Sequence, residues 1–165
     1  MTDPTSTRLV VNAGRLWAGG VAAALVAALV AVVGILLCRG VFDVPVLAPE
    51  GEGAWGGADT ATYALGAALA ALVATGLMHA LLLFTPRPYL FFSWIVSLAT
   101  LAAVLGPFAG TADQDSQLCT AAINLVLGAA IGTLVSGSAR SAARPVPIRS
   151  GPGGPMPPPP PYRRL

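Results

Sequence analysis

Residues 16–38 read LWAGGVAAALVAALVAVVGILLC, a run of 23 residues without a charge that is bounded by Arg15 and Arg39. An α-helix rises 1.5 Å per residue, so about 20 apolar residues cross the roughly 30 Å hydrocarbon core of a bilayer. Three more uncharged runs follow along the chain. The sequence therefore predicts an all-α, integral membrane four-helix bundle with helices at residues 16–38, 62–85, 89–106 and 118–136.

The overall composition agrees with a membrane protein. Of the 165 residues, 55% are hydrophobic and only 10% are charged, whereas a soluble domain carries about 25% charged residues. A soluble chain of this size would need more charge to cover its surface, so the composition excludes the soluble class.

The few charges are unevenly distributed along the chain. After Asp3, every acidic residue falls between residues 39 and 61 or between 107 and 117, and eight of the nine arginines lie elsewhere. Because arginine in short loops favours the cytoplasmic side, both termini and the Arg87 turn are predicted to be cytoplasmic, in a plasma membrane protein. The acids of the two outward loops are Asp43, Glu50, Glu52, Asp59, Asp113 and Asp115. We interpret them as a result of sidedness and predict no metal site.

The first apolar run has an alternative interpretation as a cleaved signal. The apolar part of a secretory signal usually has about 7–15 residues, and this run is longer. A lipoprotein cleavage box needs a small residue before its cysteine, and Leu37 precedes Cys38. We therefore expect an uncleaved membrane anchor, preceded by a cytoplasmic segment at residues 1–15.

The fourth predicted helix carries small and polar residues at four-residue spacing, which places them on one face. They are Thr120, Asn124, Gly128, Gly132 and Ser136. One interpretation is a packing seam, since small residues allow close helix contact and Asn bonds between helices in lipid. The other is the wall of a small polar pathway. The seam is the simpler interpretation, and both remain open.

His79 is the one histidine and lies within the second predicted helix. An ionisable residue inside a span is a functional hypothesis by default. No acidic residue occurs within the four predicted helices to share a proton with it. We therefore predict a neutral, hydrogen-bonded histidine with Ser93, Ser97 or Ser136 as its partner, rather than part of a proton relay.

Cys38 ends the first predicted helix and Cys119 begins the fourth, so both lie at the outward membrane level. An outward compartment permits disulfides, but two separate buried thiols are also common. The sequence leaves both possibilities open.

Residues 137–165 are rich in proline and arginine. Proline disrupts helices and favours polyproline II, so a disordered cytoplasmic tail is predicted. Its arginines are expected to contact anionic lipids. Pro159 to Tyr162 matches a PPxY ligand pattern, although a solvated tail is the simpler interpretation.

The chain has no constellation typical of catalysis or nucleotide binding. We expect no enzymatic activity, no cofactor and no nucleic-acid partner. Two functions remain: a structural or accessory component of a larger cell-envelope complex, or a small transporter or channel that works as a homo-oligomer through the Thr120–Ser136 face.

Residues 12–140 resemble a family of small four-span membrane proteins from actinobacteria, known as domain of unknown function 6069. The resemblance rests on Arg15-Leu16 at the start, a long outer loop, Leu105-Gly106-Pro107 after the third span and a small-residue fourth span. A Met-His pair is frequent in the fourth span of the family, and the matching position here carries Ile123-Asn124. The resemblance implies a membrane location without implying an activity.

Overall fold

The computed structural model describes residues 7–41, 43, 45–49, 55–57, 59–110 and 112–147. Its four long helices are α1 (Ala13–Val41), α2 (Thr60–Phe84), α3 (Pro88–Leu105) and α4 (Gln114–Ala142). All four are long and apolar enough to cross a membrane. The predicted all-α four-helix membrane bundle is confirmed, and the protein is a multi-pass membrane protein.

The bounds of α2 and α3 lie within two residues of the predicted ones, whereas α1 and α4 are longer than predicted. The predicted ends followed the apolar residues, but backbone hydrogen bonds continue through polar residues at a membrane interface. At the start of α1, the backbone N–H of Arg15 donates to Asn12 Oδ1 at 3.0 Å. This side-chain cap lets the helix begin before its apolar run.

The two segments that flank the bundle pair with each other. Strand β1 (Thr7–Val11) lies antiparallel to β4 (Ala143–Pro147), and the N–H of Asn12 continues the pairing by donating to the Ala142 carbonyl at 3.0 Å. We call this end of the bundle the terminal end.

This pairing corrects the prediction for the two terminal segments. The prediction of disorder from residue 137 onward is wrong for residues 137–147, because α4 extends to Ala142 and β4 follows it. The predicted segment 1–15 likewise contains β1 and the first turn of α1. Proline discourages regular structure locally, but strand pairing between distant segments is not visible in local composition. The predicted disorder of residues 148–165 lies outside the described residues.

At the opposite end, Cys38 of α1 and Cys119 of α4 form a disulfide, and we call this the disulfide end. A second antiparallel pair, β2 (Leu47–Pro49) with β3 (Trp55–Gly57), belongs to the connection between α1 and α2. The loop before β2 covers the bundle, since Val46 is fully buried and Leu47 nearly so.

Helix α1 packs against α2 and α4, and α3 packs mainly against α4. Buried residues recur every four positions along α1 and α4. They are Ala23, Ala27, Ala31 and Ile35 on α1, and Ile123, Leu127, Ile131, Val135 and Ala139 on α4. Helix α3 is the peripheral element, because only 6% of its spanning segment is buried, against 28–33% for the other three helices.

Two glycines of α1 allow its close contacts. A Cβ added to Gly20 would overlap the side chain of Thr75 on α2, and one added to Gly34 would lie 2.9 Å from Ile123 on α4. Close backbone approach at small residues is the usual way in which spanning helices associate. These contacts fix α1 as the centre of the α2–α1–α4 arrangement.

Candidate functional site

The disulfide end is held together by one covalent bond and one hydrogen-bond chain. The Cα atoms of Cys38 and Cys119 are 6.3 Å apart. Beside them, the buried Thr120 hydroxyl donates to the Ser116 carbonyl at 2.7 Å and accepts from the N–H of Leu47 at 3.0 Å. The disulfide and Thr120 thus join α1, α4 and the covering loop within two consecutive residues of α4.

Asn124 connects three helices in the disulfide half of the bundle. Its Oδ1 accepts from the Tyr63 hydroxyl of α2, and its Nδ2 donates to the Ala103 carbonyl of α3 at 2.7 Å. The sequence predicted a bond to a neighbouring helix but not its partners. Tyr63 was not identified from the sequence as the partner of Asn124. The one available signal was the residue type, since a buried tyrosine hydroxyl usually forms a hydrogen bond.

The remaining small residues of this α4 face lie against or beside α3. A Cβ on Gly128 would overlap the side chain of Thr100, and one on Gly132 would lie 3.2 Å from Val96 Cγ1. Ser136 continues this face toward the terminal end and borders an opening next to α3. The face therefore provides the α3–α4 contact, in the arrangement that a packing seam requires.

His79 lies near the terminal end of α2, and its partner differs from the predicted serines. The indole Nε1–H of Trp17 on α1 donates to His79 Nδ1 at 3.2 Å, and the two rings meet edge to face with centroids 6.4 Å apart. This bond uses Nδ1 of His79 as its acceptor. The prediction of Ser93, Ser97 or Ser136 was wrong because sequence gives the depth of a side chain but not the direction it faces.

Replacing His79 with leucine should lower the free energy of unfolding by about 0.6 kcal/mol, the average for bonds between spanning helices. His79→Gln keeps an acceptor and should remain close to the original protein. The measurement is unfolding in mixed micelles, and the leucine effect should disappear in a Trp17→Phe background, which lacks the indole donor. A proton flux in proteoliposomes that is lost in His79→Gln would contradict this structural role.

Two openings border α3. The first, which we name the α2–α3 cleft, has a volume of about 580 Å³ and is lined by Gly66, Ala70 and Ala74 of α2, Ala99, Thr100 and Ala103 of α3, and Asn124, Leu127 and Ile131 of α4, among others. The second, the α3–α4 groove, has a volume of about 450 Å³ and is lined by the hydroxyl residues Ser93, Ser97, Thr100, Thr133 and Ser136 together with apolar residues and glycines of α3 and α4.

The two openings differ in the polar side chains that line them. Apart from Thr62, Tyr63, Thr100 and Asn124, the α2–α3 cleft is lined by residues with apolar side chains or by glycine. The α3–α4 groove instead carries five hydroxyl side chains, which lie on both helices. Among the described residues, no group of three or more His, Cys, Asp or Glu side chains is placed to hold a metal ion. The residues that line the two openings are suited to binding apolar or weakly polar groups.

The chain was compared with known proteins at the level of families, curated proteins and solved structures. No curated protein and no solved structure matches it. A family match covers residues 11–141, which include all four helices except the last residue of α4. The chain therefore belongs to the family described as "Family of unknown function (DUF6069)".

Proposed function

We propose that this protein is an accessory subunit of a larger cell-envelope complex, and that it docks a spanning helix of its partner in the α3–α4 groove. The observation that carries the proposal is the exposure of this groove on the lipid-facing side of α3 and α4. Small and hydroxyl residues are the ones that bring spanning helices together. Here they line a surface that no helix among the described residues covers.

Two hydroxyls strengthen the proposal. Ser93 and Thr133 bond to carbonyls of their own helices, whereas Ser97 and Ser136 make no hydrogen bond within the described part of the chain. An unbonded hydroxyl at the hydrocarbon level is unfavourable. A docked helix with a backbone carbonyl or polar side chain facing Ser97 would satisfy it.

The proposed location is the plasma membrane, with both termini in the cytoplasm. Arg15, Arg87 and Arg140 lie at the terminal end, where β1 and β4 also pair. Concentrated arginine favours the cytoplasmic side and anionic lipid headgroups. The Arg140 guanidinium lies 5.6 Å from the centre of the Tyr89 ring, which holds this charge at the membrane interface.

The partner proposal is tested by placing a photoreactive residue at Ser97 in the native membrane. We expect a discrete protein adduct there and none at Val73, which is also exposed and lies on α2 outside the groove. Thr133→Leu, which fills the groove, should reduce the adduct at least fivefold. An adduct that forms equally at Val73, or that persists in Thr133→Leu, would contradict the proposal. Co-expression of two differently tagged copies distinguishes a foreign partner from a homo-oligomer, because an adduct that carries both tags contains two copies of this chain.

The alternative function is a small transporter or channel that works as a homo-oligomer. It needs the Thr120–Ser136 face to line a path for water or ions. In the structure Thr120 is fully buried and bonded to Leu47, Asn124 bonds to α2 and α3, and Gly128 contacts Thr100. These contacts favour the accessory role, and we propose no catalytic activity.

A further inference from the structure

The α2–α3 cleft is open space between two helices that carry small residues toward each other. A Cβ added to Gly66 would have no heavy atom within 4 Å, although Gly66 lines the cleft together with Ala70 and Ala74. At Gly20 and Gly128 small residues allow close helix contact. At Gly66 they leave a volume of about 580 Å³ instead.

The material that fills this cleft must come from the bilayer. Its walls are three spanning helices, so it opens at the depth of the lipid hydrocarbon. Most of the residues that line it are alanine or glycine. A single flexible hydrocarbon chain can contact such walls along their length.

One end of the cleft is polar. The Tyr63 hydroxyl and the Asn124 amide meet there, and Tyr63 is three residues, about 4.5 Å along the axis, from the start of α2. The Asn124 amide nitrogen carries two hydrogens. One bonds to the Ala103 carbonyl, and no acceptor for the other occurs within the described residues.

We propose that the α2–α3 cleft binds one acyl chain of a membrane phospholipid, with the ester carbonyl of that chain accepting a hydrogen bond from Asn124 Nδ2. The apolar walls contact the chain, and the Asn124 amide lies at the polar end of the cleft, beside the Tyr63 hydroxyl. This binding site is separate from the α3–α4 groove and does not depend on the proposed partner.

The test uses the full chain in vesicles of phosphatidylglycerol whose second acyl chain carries a diazirine. After illumination and digestion, we expect labels on Ala70 and Ala74 of the cleft wall, in addition to general labelling of exposed residues such as Leu69 and Val73. Gly66→Leu places a side chain in the cleft and should reduce the labelling of Ala70 relative to Val73 at least fivefold.

Gly137→Leu is the matched control, because Gly137 is also a helical glycine with nothing within 4 Å of an added Cβ, and it lies outside the cleft. It should leave the labelling ratio unchanged. Melting temperatures of both variants show that the bundle is intact. A ratio that is the same in Gly66→Leu and in the original protein would overturn the proposal. So would disulfide-linked dimers through a cysteine placed at Ala70, since they would show a second copy in the cleft.

The carbonyl contact is tested separately by competition with unlabelled lipids. Ester-linked phosphatidylglycerol should displace the photoreactive lipid several-fold better than its ether-linked analogue, which lacks the carbonyl. Asn124→Leu should abolish this preference while Gly137→Leu retains it. Equal competition by the two lipids in the original protein would overturn the assignment of Asn124.

Discussion

Replacing Gly128 with alanine should lower the free energy of unfolding by about 2 kcal/mol, within the range for overpacked interiors. The added Cβ would overlap the side chain of Thr100, so α3 must move away from α4. Since α3 has little other burial, this displacement loses much of its packing. The measurement is the unfolding midpoint in mixed micelles, with Gly128→Leu expected to be more severe.

Two variants make this prediction specific. Gly137→Ala adds the same methyl group to the same helix in open space, and it should be neutral or slightly stabilising, because alanine favours helix over glycine. Thr100→Ala removes two of the three overlapping atoms, so it should recover more than half of the loss when combined with Gly128→Ala. A Gly128→Ala protein with the original stability would show that α3 does not pack on α4 at this position.

Removing the disulfide should have the largest single effect on stability. The bond joins residues 81 positions apart, and the chain-entropy estimate for such a loop is about 4.5 kcal/mol. This is an upper value, because helices that persist in the bilayer leave fewer unfolded conformations to restrict. We expect Cys38→Ser/Cys119→Ser to lower the unfolding free energy by about 2–4 kcal/mol on that estimate.

The bond itself is checked by alkylating the denatured protein with and without prior reduction. Reduction should expose two thiols and add the mass of two alkyl groups. Reductant should also lower the stability of the original protein and leave that of the double serine variant unchanged. An alkylation mass that is the same with and without reductant would show that Cys38 and Cys119 are separate thiols.

The number, length and level of the helices could be predicted because they follow from local chemistry. A spanning helix needs a long uncharged run, and Pro88 and Pro107 mark the limits of α3 in the sequence and in the structure. The level of Cys38 and Cys119 followed from the same runs. The helix limits and the level of the two cysteines each depend only on residues that are close together in the sequence.

The lateral arrangement could not be predicted in this way. Trp17 and His79 are 62 positions apart, and Tyr63 and Asn124 are 61 apart, so their pairing depends on how each helix is rotated about its axis. Hydropathy constrains that rotation weakly when lipid surrounds the bundle, because apolar residues occur on every face. The α2–α3 cleft is harder still to predict, since it depends on where two neighbouring helices leave space between them.

The connections between α1 and α4 at the two ends of the bundle also constrain how the helices can move. The disulfide joins α1 to α4 at one end, and the β1–β4 pair joins the segments that flank the same two helices at the other. Together they make α1 and α4 a frame closed at both ends, from which α2 and α3 extend as an inserted hairpin. Helix α2 packs on α1, which belongs to this frame, whereas α3 is the least buried of the four helices. Helix α3 is therefore the element that the frame constrains least, and a change in its position leaves both closed ends of the bundle intact.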